Sequence, residues 1–173
     1  MVISEGVEYF GSNAFNGCKL TDISFPSTLT DCGILGRYRH ADDIKLLGSH
    51  VTEDGNFLVI NGKLAYARGV VRKSRETTLP EEATSIGEYA FYRSSIQLNI
   101  PKKITRICHD AFSNSYSKTI TFNGNVVLEG SAFNINGITD IYLNKGSSFT
   151  CVGSGVFGYN KITGGIHICD MLD

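Results

Sequence analysis

The stretch Pro80-Glu-Glu-Ala-Thr-Ser-Ile86-Gly-Glu-Tyr-Ala-Phe91-Tyr-Arg-Ser94 is followed, 21 residues later, by Pro101-Lys-Lys-Ile-Thr-Arg-Ile107-Cys-His-Asp-Ala-Phe112-Ser-Asn-Ser115. The same Ala-Phe pair, or Val-Phe in the last copy, recurs along the chain at Ala14-Phe15, Ala90-Phe91, Ala111-Phe112, Ala132-Phe133 and Val156-Phe157. An apolar residue stands five positions before each Phe, and an alternating apolar pair follows it. Self-similarity at a fixed period indicates a repeat architecture, in which each unit is one turn of a solenoid.

The spacing inside one unit predicts two short strands joined by a tight turn. Alternating Leu98 and Ile100 indicate a strand that is buried on one side, and Ile86 marks a second short extended piece. The Ala-Phe segment between them is too short for a full helix and favours a tight or 3₁₀ turn. One unit cannot bury its apolar face alone, so neighbouring units must stack.

A column of small or polar residues stands three positions after each Phe. It consists of Cys18, Ser94, Ser115, Asn136 and Asn160. We expect these side chains to hydrogen-bond the backbone of the turns inside the coil.

The pattern P-x-x-[VIL]-T-x-I-G-x-x-A-F-x-x-[CS]-x-x-[LI], to which residues 80–91 and 101–112 are close, resembles the BspA-like leucine-rich repeat family. The resemblance covers about residues 2–32 and 77–169. It implies a single domain over residues 1–173, folded as a mostly β, right-handed leucine-rich repeat superhelix with short 3₁₀ turns. It also implies a bacterial protein, extracellular or at the cell surface, that adheres or binds a protein or glycan and has no catalytic residues.

An insert over about residues 33–76 interrupts the repeats. Asn61-Gly62 lies between two apolar stretches and predicts a β-hairpin, because both turn residues must accept positive φ. The insert carries 8 Lys and Arg against 5 Asp and Glu, a net charge of +3. Its basic residues include a group formed by Arg68, Arg72, Lys73 and Arg75. This group is either a solvated loop or a patch for an acidic partner.

The residue between the two buried apolar positions of each front strand should point outward. These positions form a polar column, the candidate binding face, made of Ser24, Thr78, Asn99, Thr121, Tyr142 and His167. It is flanked by Asp22, Gln97, Thr119 and Asp140. We expect the partner, a protein or a glycan, to contact this column.

Composition excludes several other functions. The net charge of -1 argues against binding of nucleic acid, and no apolar run is long enough to cross a membrane. No signal peptide is visible at the start of this sequence. The 5 cysteines include no C-x-x-C pair, so we expect most of them to be small buried residues, with no metal site and no cofactor.

Two alternatives remain open. The residues Arg37, Arg39, His40, Asp42 and Asp43 are close in sequence within the insert, which is the only motive for an enzyme with a site there. The second alternative is structural. The repeats begin and end within strands without a polar capping unit, which favours self-association through the solenoid ends or a longer parent chain.

Overall fold

The repeats fold as predicted into coils that each contribute short strands to two sheets. The computed structural model describes residues 1–12, 14–15, 18–33, 35, 44–73 and 77–169. The strands are, in chain order, β1 (Tyr9–Phe10), β2 (Asp22–Phe25), β3 (Asp31–Cys32), β4 (Lys45–Gly48), β5 (Phe57–Ile60), β6 (Lys63–Ala67), β7 (Ser85–Ile86), β8 (Leu98–Ile100), β9 (Arg106–Ile107), β10 (Thr119–Phe122), β11 (Asn125–Glu129), β12 (Asp140–Asn144), β13 (Ser148–Val152) and β14 (Gly165–Cys169). One short helix, α1, spans Gly69–Arg72.

Two sheets enclose the core of the second half of the chain. The front sheet has the order β14-β12-β10-β8, and all its pairings are parallel. The back sheet has the order β13-β11-β9-β7-β6-β5, and only β5 and β6 are antiparallel in it. Two further parallel pairs, β1 with β3 and β2 with β4, come from the N-terminal coils. About seven turns of a leucine-rich-repeat-type solenoid result.

The repeated phenylalanines stack one above another inside the coils. The ring centroids of Phe91 and Phe112 are 5.0 Å apart, those of Phe112 and Phe133 are 5.3 Å apart, and those of Phe133 and Phe157 are 5.5 Å apart. The interplanar angles are 5° to 9°, so the rings are nearly parallel. This column explains why one large aromatic residue recurs in each unit, since the repeat places every copy on its neighbour.

The turn around each of these phenylalanines has a conserved geometry within the chain. Residues two positions before and two positions after the Phe have positive φ, as in Tyr89 and Arg93 around Phe91. Hydrogen bonds from residue i+3 to residue i are present, such as Ala90 to Gly87. The positive φ values divide the segment into successive tight turns, so a continuous 3₁₀ helix does not form.

The polar residues three positions after the Phe do bond the turns. The hydroxyls of Ser94 and Ser115 are 2.9 Å apart, and Ser115 also donates to the carbonyl of Phe91 at 3.1 Å. The Asn136 amide donates to the Phe112 carbonyl at 2.8 Å. Cys18, the first member of the column, departs from this pattern because it is exposed.

The hairpin of the insert lies between two hydrophobic cores and packs against both. Asn61 and Gly62 have φ values of 48° and 77°, which matches the predicted turn. Strand β6 continues the back sheet by pairing in parallel with β7, and every residue of β5 is buried. Leu64 packs in the core of the following coils, whereas Leu58 packs in the core of the N-terminal coils. The hairpin predicted from Asn61-Gly62 is therefore present, and its two strands are part of the core.

Candidate binding face

The front sheet brings four of the predicted column residues into one line. Asn99 pairs with Thr121, Thr121 with Tyr142, and Tyr142 with His167, each on the neighbouring strand. Asn99 and Thr121 point outward, since the apolar residues on either side of each are buried. The parallel register places Tyr142 and His167 on the same side of the sheet. Asn99 is exposed and the other three are half-buried.

The other two column residues lie elsewhere. Ser24 is in β2, which pairs with β4 in a separate two-stranded sheet, opposite Leu47. Thr78 is exposed but belongs to no strand, although it lines an open cavity together with Asn99. The prediction of one continuous six-residue column is therefore wrong, because the repeated front strand is not formed at residues 77–79.

An aromatic pair occupies the C-terminal part of the binding face. The rings of Tyr142 and His167 stack with centroids 4.8 Å apart. The His167 Nε2 atom lies 3.0 Å from a carboxylate oxygen of Asp140, whose other oxygen accepts a hydrogen bond from Thr139 at 2.7 Å. The hydrogen bonds from Thr139 and His167 hold the pKa of Asp140 below its ordinary value.

A second polar feature borders the face and was not predicted. Asn123 donates to the side-chain oxygen of Asn99 at 2.6 Å and to the Ile100 carbonyl at 2.9 Å. Asn144 donates to the side-chain oxygen of Asn123. The signal in the sequence is that both asparagines directly follow the second apolar residue of a front strand. This amide ladder fixes the edge of the face through hydrogen bonds between neighbouring coils.

The basic group of the insert does not present all of its predicted charges. Arg72 is only 5% exposed, donates to the Tyr92 carbonyl at 2.8 Å and lies over the Tyr66 ring. Burial lowers the pKa of Arg72 to about 10. Lys73 is exposed, Arg68 is half-buried, and Arg75 lies outside the described residues. Arg72 was misassigned to a surface patch because its burial depends partly on the coil that contains Tyr92, 20 residues later in the sequence.

The cysteines are more exposed than predicted. Of the five free thiols only Cys32 is buried, while Cys18 and Cys151 are exposed. Burial raises the pKa of Cys32 to about 12 and also raises that of Cys108. Both line a cavity of about 320 Å³ on the back of the molecule. A thiol with a raised pKa is a poor nucleophile at neutral pH, so this cavity has no activated cysteine.

The candidate enzyme residues of the insert, including His40, lie outside the described residues. Within residues 1–12, 14–15, 18–33, 35, 44–73 and 77–169, no group of three or more metal-ligating side chains is present. The same ranges contain no helix whose length and hydropathy would allow it to cross a bilayer.

Stacked coils with short parallel strands, a column of stacked phenylalanines and backbone-bonding Ser and Asn residues in the later units define a leucine-rich repeat protein. A family model described as "BspA type Leucine rich repeat region" matches residues 1–34 and 71–172 in 6 copies, and the chain belongs to this family. No curated protein and no solved structure matches the chain. Proteins of this family are generally non-catalytic, their repeats generally mediate protein interactions, and they are commonly surface-associated.

Proposed function

We propose that this chain is a non-catalytic binding module of a bacterial protein, secreted or at the cell surface, which uses its front sheet in adhesion or in binding a protein partner. The observation that carries the proposal is the in-register column Asn99, Thr121, Tyr142 and His167. Tyrosine is enriched in interfaces because its large ring contributes contact area at low entropic cost and its hydroxyl adds a hydrogen bond.

Because this column carries little charge, we expect its partner to be recognised by packing and hydrogen bonds rather than by charge attraction. Asp140 is its only flanking carboxylate among residues 97–169 of the front strands, and it is bonded to His167. Rim charges mainly change association rates, whereas the central residues of an interface contribute most of the affinity. We therefore expect affinity to depend on Tyr142 and Thr121.

The test is retention of surface proteins by the immobilised chain. The variants Asn99→Glu, Thr121→Glu and Tyr142→Glu should each abolish retention of the same partner, because an unpaired carboxylate would be buried in the interface. Thr150→Glu is the matched control, since Thr150 is an exposed strand residue of the back sheet. Unchanged retention by the three front variants, or equal loss in the control, would remove the front sheet as the binding surface.

A glycan would occupy the same face differently. A protein partner should be lost when the captured fraction is treated with protease, whereas a glycan would survive that treatment and be lost after periodate oxidation. Loss after periodate oxidation but not after protease would identify the partner as a glycan that binds the same face.

A further inference from the structure

The front sheet is interrupted at one coil. By the 21-residue spacing, Leu79-Pro80 corresponds to Ile100-Pro101, so residues 77–79 stand where a front strand is expected. Strand β8 is nevertheless the edge of the front sheet, and residues 77–79 make no backbone-to-backbone hydrogen bond with a described residue. The backbone N–H of Asn99 donates to the carbonyl of Gln97, the residue just before β8, at 3.0 Å rather than to another strand. An unpaired strand edge of this kind can accept another extended chain.

A groove opens at this interruption. Two adjoining cavities, of about 640 and 770 Å³, share Thr78, Leu79 and Lys103 in their walls. One extends to Asn99 on the binding face, and the other extends to Phe57 of the hairpin. We call the two together the edge groove. It therefore connects the binding face with the hairpin.

The edge groove has a partly apolar floor and an acidic rim. Phe57, Leu79 and Pro80 supply the apolar part. The four carboxylates of the rim, against the single cation Lys103, are Glu53, Asp54, Glu81 and Glu82. The local charge is therefore 1 minus 4, or -3.

The rim charges are not neutralised by the rest of the described chain. The Lys103 ammonium donates to the carbonyls of Leu79 and Pro80, at 3.3 and 2.6 Å, and makes no ion pair with a described carboxylate. Glu53, Glu81 and Glu82 are exposed and likewise make no ion pair within the described ranges.

Asp54 is held in place by its own turn. It accepts hydrogen bonds from the Thr52 hydroxyl at 2.6 Å and from the Asn56 backbone at 3.0 Å. Burial raises the pKa of Asp54, but these hydrogen bonds outweigh it and leave the pKa below its ordinary value. Asp54 thus keeps its negative charge at neutral pH.

We propose that the edge groove binds an extended segment of a protein partner in which Lys or Arg alternates with apolar residues. The segment pairs its backbone with the open edge of β8, places its apolar side chains on Leu79 and Pro80, and directs its cations to Glu81 and Glu82. This inference rests on the proposed function, because it names the part of a protein partner that the front sheet receives.

The probe is an eight-residue peptide of alternating valine and lysine, with blocked ends, and its valine–glutamate counterpart. We expect saturable calorimetric binding of the lysine peptide, no binding of the glutamate peptide, and weakening as NaCl rises. N-methylation of alternate residues along one edge of the lysine peptide should abolish binding, because it removes the backbone donors of that edge. Binding that survives N-methylation would overturn the strand pairing.

The matched variants separate this groove from general attraction to an acidic protein. Glu81→Gln/Glu82→Gln should weaken lysine-peptide binding at least tenfold, whereas Glu8→Gln/Glu88→Gln, which removes the same charge from exposed sites outside the groove, should leave it unchanged. Equal loss in both double variants would overturn the proposal. So would a change of oligomeric state in Glu81→Gln/Glu82→Gln alone, because the occupant would then be a second copy of the chain.

Failure of this inference differs from failure of the proposed function. Thr121 lies outside the edge groove, so partner retention that is sensitive to Thr121→Glu without peptide binding would reject the groove and keep the front sheet. Peptide binding with retention indifferent to Thr121→Glu would keep the groove and reject the binding face.

Discussion

At the scale of single residues, the turns depend on backbone conformations that L-residues rarely adopt. Among the residues that the structure describes, nine non-glycine residues have positive φ, and most of them flank the stacked phenylalanines. Tyrosine, arginine, asparagine, serine and isoleucine all occur at these positions, so no residue type marks them in the sequence. Left-handed conformations cost an L-residue about 1–2 kcal/mol, and the packing of each coil must offset that cost.

Ile135 is the most strained of these residues, because it is β-branched with a φ of 55°. Its side chain is 47% exposed, so glycine would remove strain at a small cost in packing. We expect Ile135→Gly to raise the free energy of unfolding by about 1 kcal/mol, measured by urea denaturation. Ile162→Gly is the control, since Ile162 is 38% exposed and lacks positive φ. If Ile135→Gly lost as much stability as the control, the positive φ of Ile135 would not be a source of strain.

Asp140 should make the stability of the front sheet dependent on pH. Its pKa is lowered in the folded chain, so its contribution is present above the unfolded-state pKa of about 3.9 and is lost as pH falls through the folded pKa. We expect Asp140→Asn to be destabilised relative to the parent at pH 6, with the difference shrinking at pH 3. If the free energy of unfolding of Asp140→Asn differed from that of the parent by the same amount at both pH values, the charge of Asp140 would not be the cause.

At the scale of elements, the sequence predicted the structure of the repeats more fully than that of the insert and its surroundings. The spacing of Ile120, Phe122, Ile141 and Leu143 was sufficient to place Thr121 beside Tyr142, because strand side chains alternate with a period of two. The same reasoning failed for Thr78, whose coil precedes strand β8 but forms no ladder with it. The edge groove could not be predicted, since it depends on how the hairpin and the coil of residues 77–82 meet in three dimensions.

The hairpin turn offers a test of this element at one glycine. Gly62 has φ of +77°, and a Cβ there would lie 2.7 Å from the Thr84 hydroxyl. Gly146 has φ of +75° with nothing within 4 Å of its Cβ position, so it carries the same backbone strain without the contact. We expect Gly62→Ala to lower the melting temperature more than Gly146→Ala. Adding Thr84→Ala to Gly62→Ala should bring the drop in melting temperature back to that of Gly146→Ala. Equal drops for the two single glycine variants would contradict the close packing of the hairpin on the next coil.

At the scale of the whole molecule, apolar residues are exposed at both ends of the stack. Val2 is 78% exposed, and in the last coil Ile166 and Ile168 are 57% and 79% exposed. Strand β14 is also an edge of the front sheet. Exposed apolar edge strands favour pairing with another chain.

We expect the chain to self-associate with rising concentration in light scattering. Ile168→Lys should shift it towards the monomer, because a charge on an edge strand opposes pairing. Lys161→Ala, a nearby exposed substitution that removes no apolar surface, should leave the association unchanged. A monomer at high concentration would exclude this interface between copies.

The central claim is that successive coils stack in one register and so line up the binding face. Cross-strand nuclear Overhauser effects in the isotope-labelled protein test it most directly, since neighbouring strands lie about 4.8 Å apart. The account predicts contacts between the backbones of Asn99 and Thr121, of Thr121 and Tyr142, and of Tyr142 and His167. Contacts displaced by one residue would turn these side chains into the core and would contradict the account.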